Sequence, residues 1–185
     1  LAQIANRAGI ADTLFIRVNM EIADELLFND PDSARYYVNR AIEKANLLGD
    51  LKSQAKANNF LGIIEYSKMH YLTALEKYQK SQELYKQAGD LAGSLKAANN
   101  IGIVYTNLDE YEKAVKIYQE AYDQNMAIGE VTFAANNLYN IVVGQLELKE
   151  YDQARLNIKR LEQIKKDHPN SVDPGALCGE LLLSE

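Results

Sequence analysis

Ala74, Ala114 and Ala154 stand 40 residues apart, and Tyr71, Tyr111 and Tyr151 keep the same interval. The string Ala57-Asn58-Asn59-Phe60-Leu61-Gly62-Ile63 returns 40 residues later as Ala97-Ala98-Asn99-Asn100-Ile101-Gly102-Ile103. A fixed period of this size is the signature of stacked repeats, in which each unit buries its apolar face only against its neighbours. It predicts an all-α solenoid of antiparallel helix pairs before any local propensity is consulted.

The period also sets the punctuation. Gly9, Gly49, Gly89 and Gly129 recur at 40, and Gly suits the left-handed turn just past a helix C-terminus. The whole chain, 1–185, reads as one domain. Residues 1–10 are a helical tail of a preceding repeat, stopped at Gly9. Repeats follow over 13–50, 53–90, 93–130 and 132–170, and 174–185 is a capping helix or truncated fifth repeat opened by Asp173-Pro174. In the first repeat the helices are expected over 13–28 and up to 48, around a turn at Asn29-Asp30-Pro31. Gly62 and Gly102, inside helices, imply close helix crossings that are expected to face Ala74 and Ala114. In the fourth repeat Val142 replaces that Gly, and Gly144 follows two residues later. Cys178 reads as a small buried hydrophobe.

Composition narrows the functions. A formal net charge of −6 and a pI near 5.1 argue against a nucleic-acid partner, which calls for a basic patch or stripe. No apolar run approaches the roughly 18 residues that span a bilayer, so no membrane contact is expected within this stretch. The chain starts at Leu1 rather than Met and reads as a fragment. Its compartment is left open. One cysteine excludes an internal disulfide framework. His70 and His168 fall in predicted turns, far apart in sequence, and acidic pairs such as Glu110 and Glu112 open helices, where they favour the macrodipole. No catalytic constellation, metal site or cofactor is expected, and the chain reads as a non-enzyme. Most of the 12 tyrosines fall in repeat columns and are expected to pack the core.

Leu61-Gly62, Ile101-Gly102, the Tyr71, Tyr111, Tyr151 column, the Ala74, Ala114, Ala154 column, and Tyr78, Tyr118 and Ala121 resemble the tetratricopeptide repeat (TPR) family. That family's helix-turn-helix unit is commonly about 34 residues long. The longer period, the missing Trp and the missing terminal Pro set this chain apart and resemble the variety found in kinesin light chains, polarity adaptors and bacterial sensory proteins. Ala11-Asp12-Thr13 with Asn29-Asp30-Pro31-Asp32-Ser33-Ala34-Arg35-Tyr36-Tyr37 is similar to bacterial arrays that precede a membrane segment and a histidine-kinase or DNA-binding module. That narrower resemblance would make the array periplasmic; without it the chain is expected to be cytoplasmic.

The resemblance implies a right-handed superhelix whose first helices line a concave groove that holds a protein or peptide. The groove residues carried over are Lys56, Lys96 and Asn136; Asn59, Asn99 and Tyr139; Asn100 and Asn140; Ile63, Ile103 and Val143; and Tyr66 with Thr106. Asn both donates and accepts, so Asn59, Asn99, Asn100 and Asn140 suit a peptide main chain, with the Ile and Val residues supplying apolar contact. Against this, Asn100 and Asn140 could equally bond neighbouring helices. The family's clamp for acidic chain ends is matched only at its middle Asn, so no preference for such tails is expected. Three functions stay open at this point: a protein-binding scaffold within a larger bacterial regulatory protein, a ligand-sensing input domain of a sensor kinase or transcriptional regulator, and a homo-oligomerisation module.

Overall fold

The computed structural model of the chain describes residues 2–169, which form eight helices and no strand: α1 (Ala2–Leu26), α2 (Pro31–Leu48), α3 (Leu51–Ser67), α4 (Tyr71–Gln87), α5 (Leu91–Asn107), α6 (Tyr111–Ala127), α7 (Val131–Glu147) and α8 (Tyr151–Asp167). The expected helix at 174–185, with Cys178, lies outside the described residues. None of the described helices is long and apolar enough to cross a membrane.

Two kinds of turn alternate. Gly49, Gly89 and Gly129 end α2, α4 and α6 at φ 64°, 68° and 76°, a region that costs a side-chain-bearing residue energy. An acidic residue follows each. Asp50 Oδ1 accepts a hydrogen bond from Ser53 N at 3.1 Å, and Asp90 Oδ1 accepts one from Gly93 N at 2.9 Å, so each caps the next helix. That bond from the Gly93 amide is the main cause holding the Asp90 carboxyl below its ordinary pKa.

Inside the later pairs the chain reverses at Met69, Asp109 and Lys149, with φ of 60°, 57° and 61° and no glycine. The first pair turns differently, through Asp30, whose carboxylate accepts from Ser33 N, and through Pro31 at the helix start.

One expectation fails at the start. Gly9 does not stop a helix: α1 runs unbroken from Ala2 to Leu26. Gly9 lies inside that helix, whereas Gly49, Gly89 and Gly129 close theirs at positive φ.

The described chain divides into two compact units, one up to residue 97 and one from residue 98, the division falling within α5. In the first, Ile16, Met20, Ala23, Ala34, Val38, Ala57, Leu61 and Ile64 form the core of α1, α2 and α3. In the second, Leu138, Ile141, Val142, Ile158, Leu161 and Ile164 pack around Tyr118.

The helix glycines are set against tyrosine rings rather than alanines. A Cβ built on Gly62 would lie 2.5 Å from Tyr78 Cε1, and one on Gly102 would lie 2.5 Å from Tyr118 Cε1. Tyr78 and Tyr118 sit one turn beyond Ala74 and Ala114 on the same helix face, and their rings reach back over the glycine. In the last pair the two places hold Val142 and Ile158, both buried in one core: the smaller side chain on α8 leaves room for the larger one on α7. Gly144 answers a different neighbour, since its Cβ would lie 2.5 Å from Val115 Cγ2 of α6.

Candidate functional site

The first helix of each later pair presents the same profile. On α3, Lys56 is exposed and Asn59, Ile63 and Tyr66 are half-buried. On α5, Lys96 is exposed and Asn99, Asn100, Ile103 and Thr106 are half-buried; on α7, Asn136 is exposed and Tyr139, Asn140 and Val143 are half-buried. Steps of three and four residues put each set on one helix face. Lys56, Asn59, Ile63, Tyr66 and Lys96 belong to the first unit and the rest to the second.

In the second unit the amides are joined. Asn99 Oδ1 on α5 accepts two hydrogen bonds from α7, from Asn137 Nδ2 at 3.0 Å and from Asn140 Nδ2 at 3.3 Å. Asn137 Oδ1 in turn accepts from Asn125 Nδ2 at 2.9 Å, near the C-terminal end of α6. Asn125 and Asn137 are buried, at 3% and 2% exposure. The network therefore runs from the interior to the half-buried Asn99 and Asn140. Thr106 is less available as a donor than its type suggests, because its hydroxyl donates to Gly102 O of its own helix at 3.1 Å. Beside this face Lys113 Nζ lies 5.5 Å from the centre of the Tyr105 ring.

In the first unit Tyr66 packs on Tyr71, ring centres 5.6 Å apart. Behind them the Glu65 side chain, 8% exposed, receives a hydrogen bond from Arg35 of α2 and pairs with His70 Nδ1 at 3.0 Å. Burial opposes ionisation of Glu65, and the bonds from Arg35 and His70 outweigh it, leaving its pKa below the ordinary 4.5. This clasp ties α2, α3 and the turn before α4. His70 is thus a turn residue with a structural partner. Among the described residues no group of three or more His, Cys, Asp or Glu side chains is placed to hold a metal ion.

Sequence reasoning missed Asn125 and Asn137. The signal was present: 40 and 80 residues before Asn137 stand Ala97 and Ala57, so an amide interrupts an alanine column. It also missed Asn19, which opens the Asn59, Asn99 column. Asn19 is 4% exposed, donates to Phe15 O of its own helix at 2.8 Å, and has a buried Oδ1 without a partner among the described residues. The period explains the contrast. Where Asn99 has Asn137 and Asn140, Asn19 has Ala57 and Phe60, neither of which has a side-chain donor.

No curated protein matches the chain. The tetratricopeptide repeat family model matches residues 53–127. Among solved structures, the apo form of RapI aligns with a TM-score of 0.77 and 18% identity, covering 84% of this chain and 57% of that one. Aspartyl phosphate phosphatase F from Bacillus subtilis aligns with a TM-score of 0.72 and 19% identity over 88% of this chain and 43% of that one. A putative kinesin light chain of Podospora anserina, described as nearly identical TPR-like repeats, gives 0.67 and 9% identity over 84% and 77%. The chain thus spans about half the length of the first two, and at these identities the likeness is one of fold. The period, the helix-pair fold and the matched residues make the described chain an array of helix pairs that repeats every 40 residues and resembles the tetratricopeptide repeat family, whose model covers residues 53–127.

Proposed function

We propose that the chain is a non-catalytic scaffold that binds a protein or peptide on the exposed faces of its first helices, each unit contributing its own face. The carrying observation is the amide pair Asn99 and Asn140, half-buried and tied to each other beside Ile103 and Val143. Amides with aliphatic neighbours suit a main chain, which presents a donor and an acceptor at every residue. Lys56 and Lys96 add exposed positive charge at the margin of the same faces. The finer reading, a part of a larger bacterial regulatory protein, belongs to the same proposal; the chain spans 43% of the Bacillus subtilis protein whose fold it shares.

The network selects the variants for a test. Asn99→Ala would strand the buried Asn137 donor and lower stability as well as binding. Asn140→Ala removes one 3.3 Å bond and leaves Asn99 still paired with Asn137, so its stability cost is small, about 0.5 kcal/mol. Asn140→Ala combined with Ile103→Ala is therefore expected to weaken capture of a partner by about tenfold or more, with the urea midpoint of Asn140→Ala nearly unchanged and the helical signal of the double variant retained. Unchanged affinity in the double variant removes these faces as the binding surface.

A further inference from the structure

We infer that the buried pair Asn125 and Asn137 is a positioning device that sets the direction in which the Asn99 and Asn140 amides meet a ligand, so that this face reads the main chain of an extended peptide in one orientation. The inference rests on the binding reading above and goes beyond it by assigning roles to two residues no ligand touches. Asn125 Nδ2 donates to Asn137 Oδ1 at 2.9 Å, and Asn137 Nδ2 donates to Asn99 Oδ1 at 3.0 Å. With Asn140 Nδ2 also donating to that same oxygen at 3.3 Å, the acceptor capacity of Asn99 is filled. Asn99 then offers its Nδ2 hydrogens, and Asn140, one of whose two Nδ2 hydrogens is engaged, offers Oδ1. One donor and one acceptor stand side by side on adjacent helices, the complement of a peptide unit that presents its carbonyl to one and its N–H to the other.

The repeat itself provides the control. At the places of Asn125 and Asn137 the earlier units hold Tyr85 with Ala97 and Ala45 with Ala57, so the core packs without any amide there. The two buried asparagines are not required by the fold. Of the other two amides in this column, Asn19 turns inward, bonds its own helix and is 4% exposed, while Asn59 is half-buried. A hydrogen-bonded chain of buried amides costs desolvation at every member and is held only when each is satisfied. Here it ends on the residue whose outward orientation it fixes.

The test uses the double variant Asn125→Ala/Asn137→Ala, which copies the Ala45 and Ala57 pair and leaves no buried amide stranded. The probe is a heptapeptide selected on the unaltered protein from a random displayed library, together with its single-site backbone N-methyl analogues. On the unaltered protein, N-methylation at the residue facing Asn140 is expected to weaken binding about tenfold. On the double variant the parent peptide is expected to bind about tenfold more weakly and the N-methyl penalty to shrink to about twofold, because the Asn99 and Asn140 amides are then held only by their own 3.3 Å bond and can turn over as a pair, while the helical signal and urea midpoint are retained. A full N-methyl penalty kept in the folded double variant overturns the positioning role while leaving the binding surface intact. If no peptide is selected, or if the selected peptide is indifferent to Asn140→Ala, the binding reading fails and this inference with it. Should the double variant lose its helical signal, Asn125→Ser/Asn137→Ala, whose serine hydroxyl can bond the Ala121 carbonyl of its own helix, takes its place with the same two outcomes.

Discussion

Gly102 and Tyr118 are a matched pair, and the last helix pair shows an alternative match, which makes the coupling between them measurable. Gly102→Val alone drives branched methyl groups toward a ring whose Cε1 is 2.5 Å from even a Cβ, while Tyr118 is 2% exposed and has no solvent to retreat into. Overpacking of this sort costs about 1–3 kcal/mol, so a value near 2 is expected. Tyr118→Ile alone removes a ring from the core and costs about 2–3 kcal/mol. Together they reproduce Val142 and Ile158, whose volumes fit each other in the last pair. The double variant is expected to lose about 2 kcal/mol rather than the roughly 4–5 of the separate changes, a coupling of about 2 kcal/mol. Urea denaturation followed by far-ultraviolet circular dichroism reads this directly. With a slope of about 2 kcal/mol/M, each single variant shifts its midpoint by about 1 M and the double by no more than either. Strict additivity, with a coupling under about 0.5 kcal/mol, would show that the glycine is not there for the ring.

Asp50→Ala is expected to cost about 1 kcal/mol, since it removes the acceptor for Ser53 N and Ser53 Oγ, whereas Glu130→Ala at the equivalent start of α7, where no side-chain bond is made, should leave the urea midpoint in place. The Glu65 clasp predicts an acid limb. Its folded pKa lies below 4.5, so the stability it contributes is full above that value and is lost as pH falls through the depressed folded value. Midpoints measured from about pH 6 down to about pH 3 should fall less steeply for Glu65→Gln than for the unaltered protein; equal slopes would remove the Arg35 and His70 bonds as the cause.

The helix pairs were legible because the residues that pack them recur. Ala74, Ala114 and Ala154 are buried, and Gly49, Gly89 and Gly129 take positive φ, as a fixed period with glycine at the chain reversal requires. Gly9 misled because it keeps the interval while the helix runs on through it. The turns at Met69, Asp109 and Lys149 were illegible: three different side chains occupy the same left-handed conformation, and none announces it. The faces of α3, α5 and α7 follow from helical spacing alone, so their half-buried profile was within reach. The Asn125 and Asn137 link was not, because it joins the end of one helix to the middle of the next through side chains that sequence order does not pair. Breaks in a repeat column, such as Asn137 among alanines, are where such links are to be sought.

The exchange of glycine with tyrosine for valine with isoleucine also bears on how the array assembles and how it could change length. The first helices of the second and third pairs carry the same lock, so either would accept the other's tyrosine, and a slipped or duplicated unit there meets no steric objection. The first helix of the fourth pair is keyed differently: Val142 set against a tyrosine collides, while Gly102 set against Ile158 leaves a void. At this contact the last pair can therefore be gained or lost only whole, Val142 travelling with Ile158, whereas single helices of the second and third pairs are interchangeable.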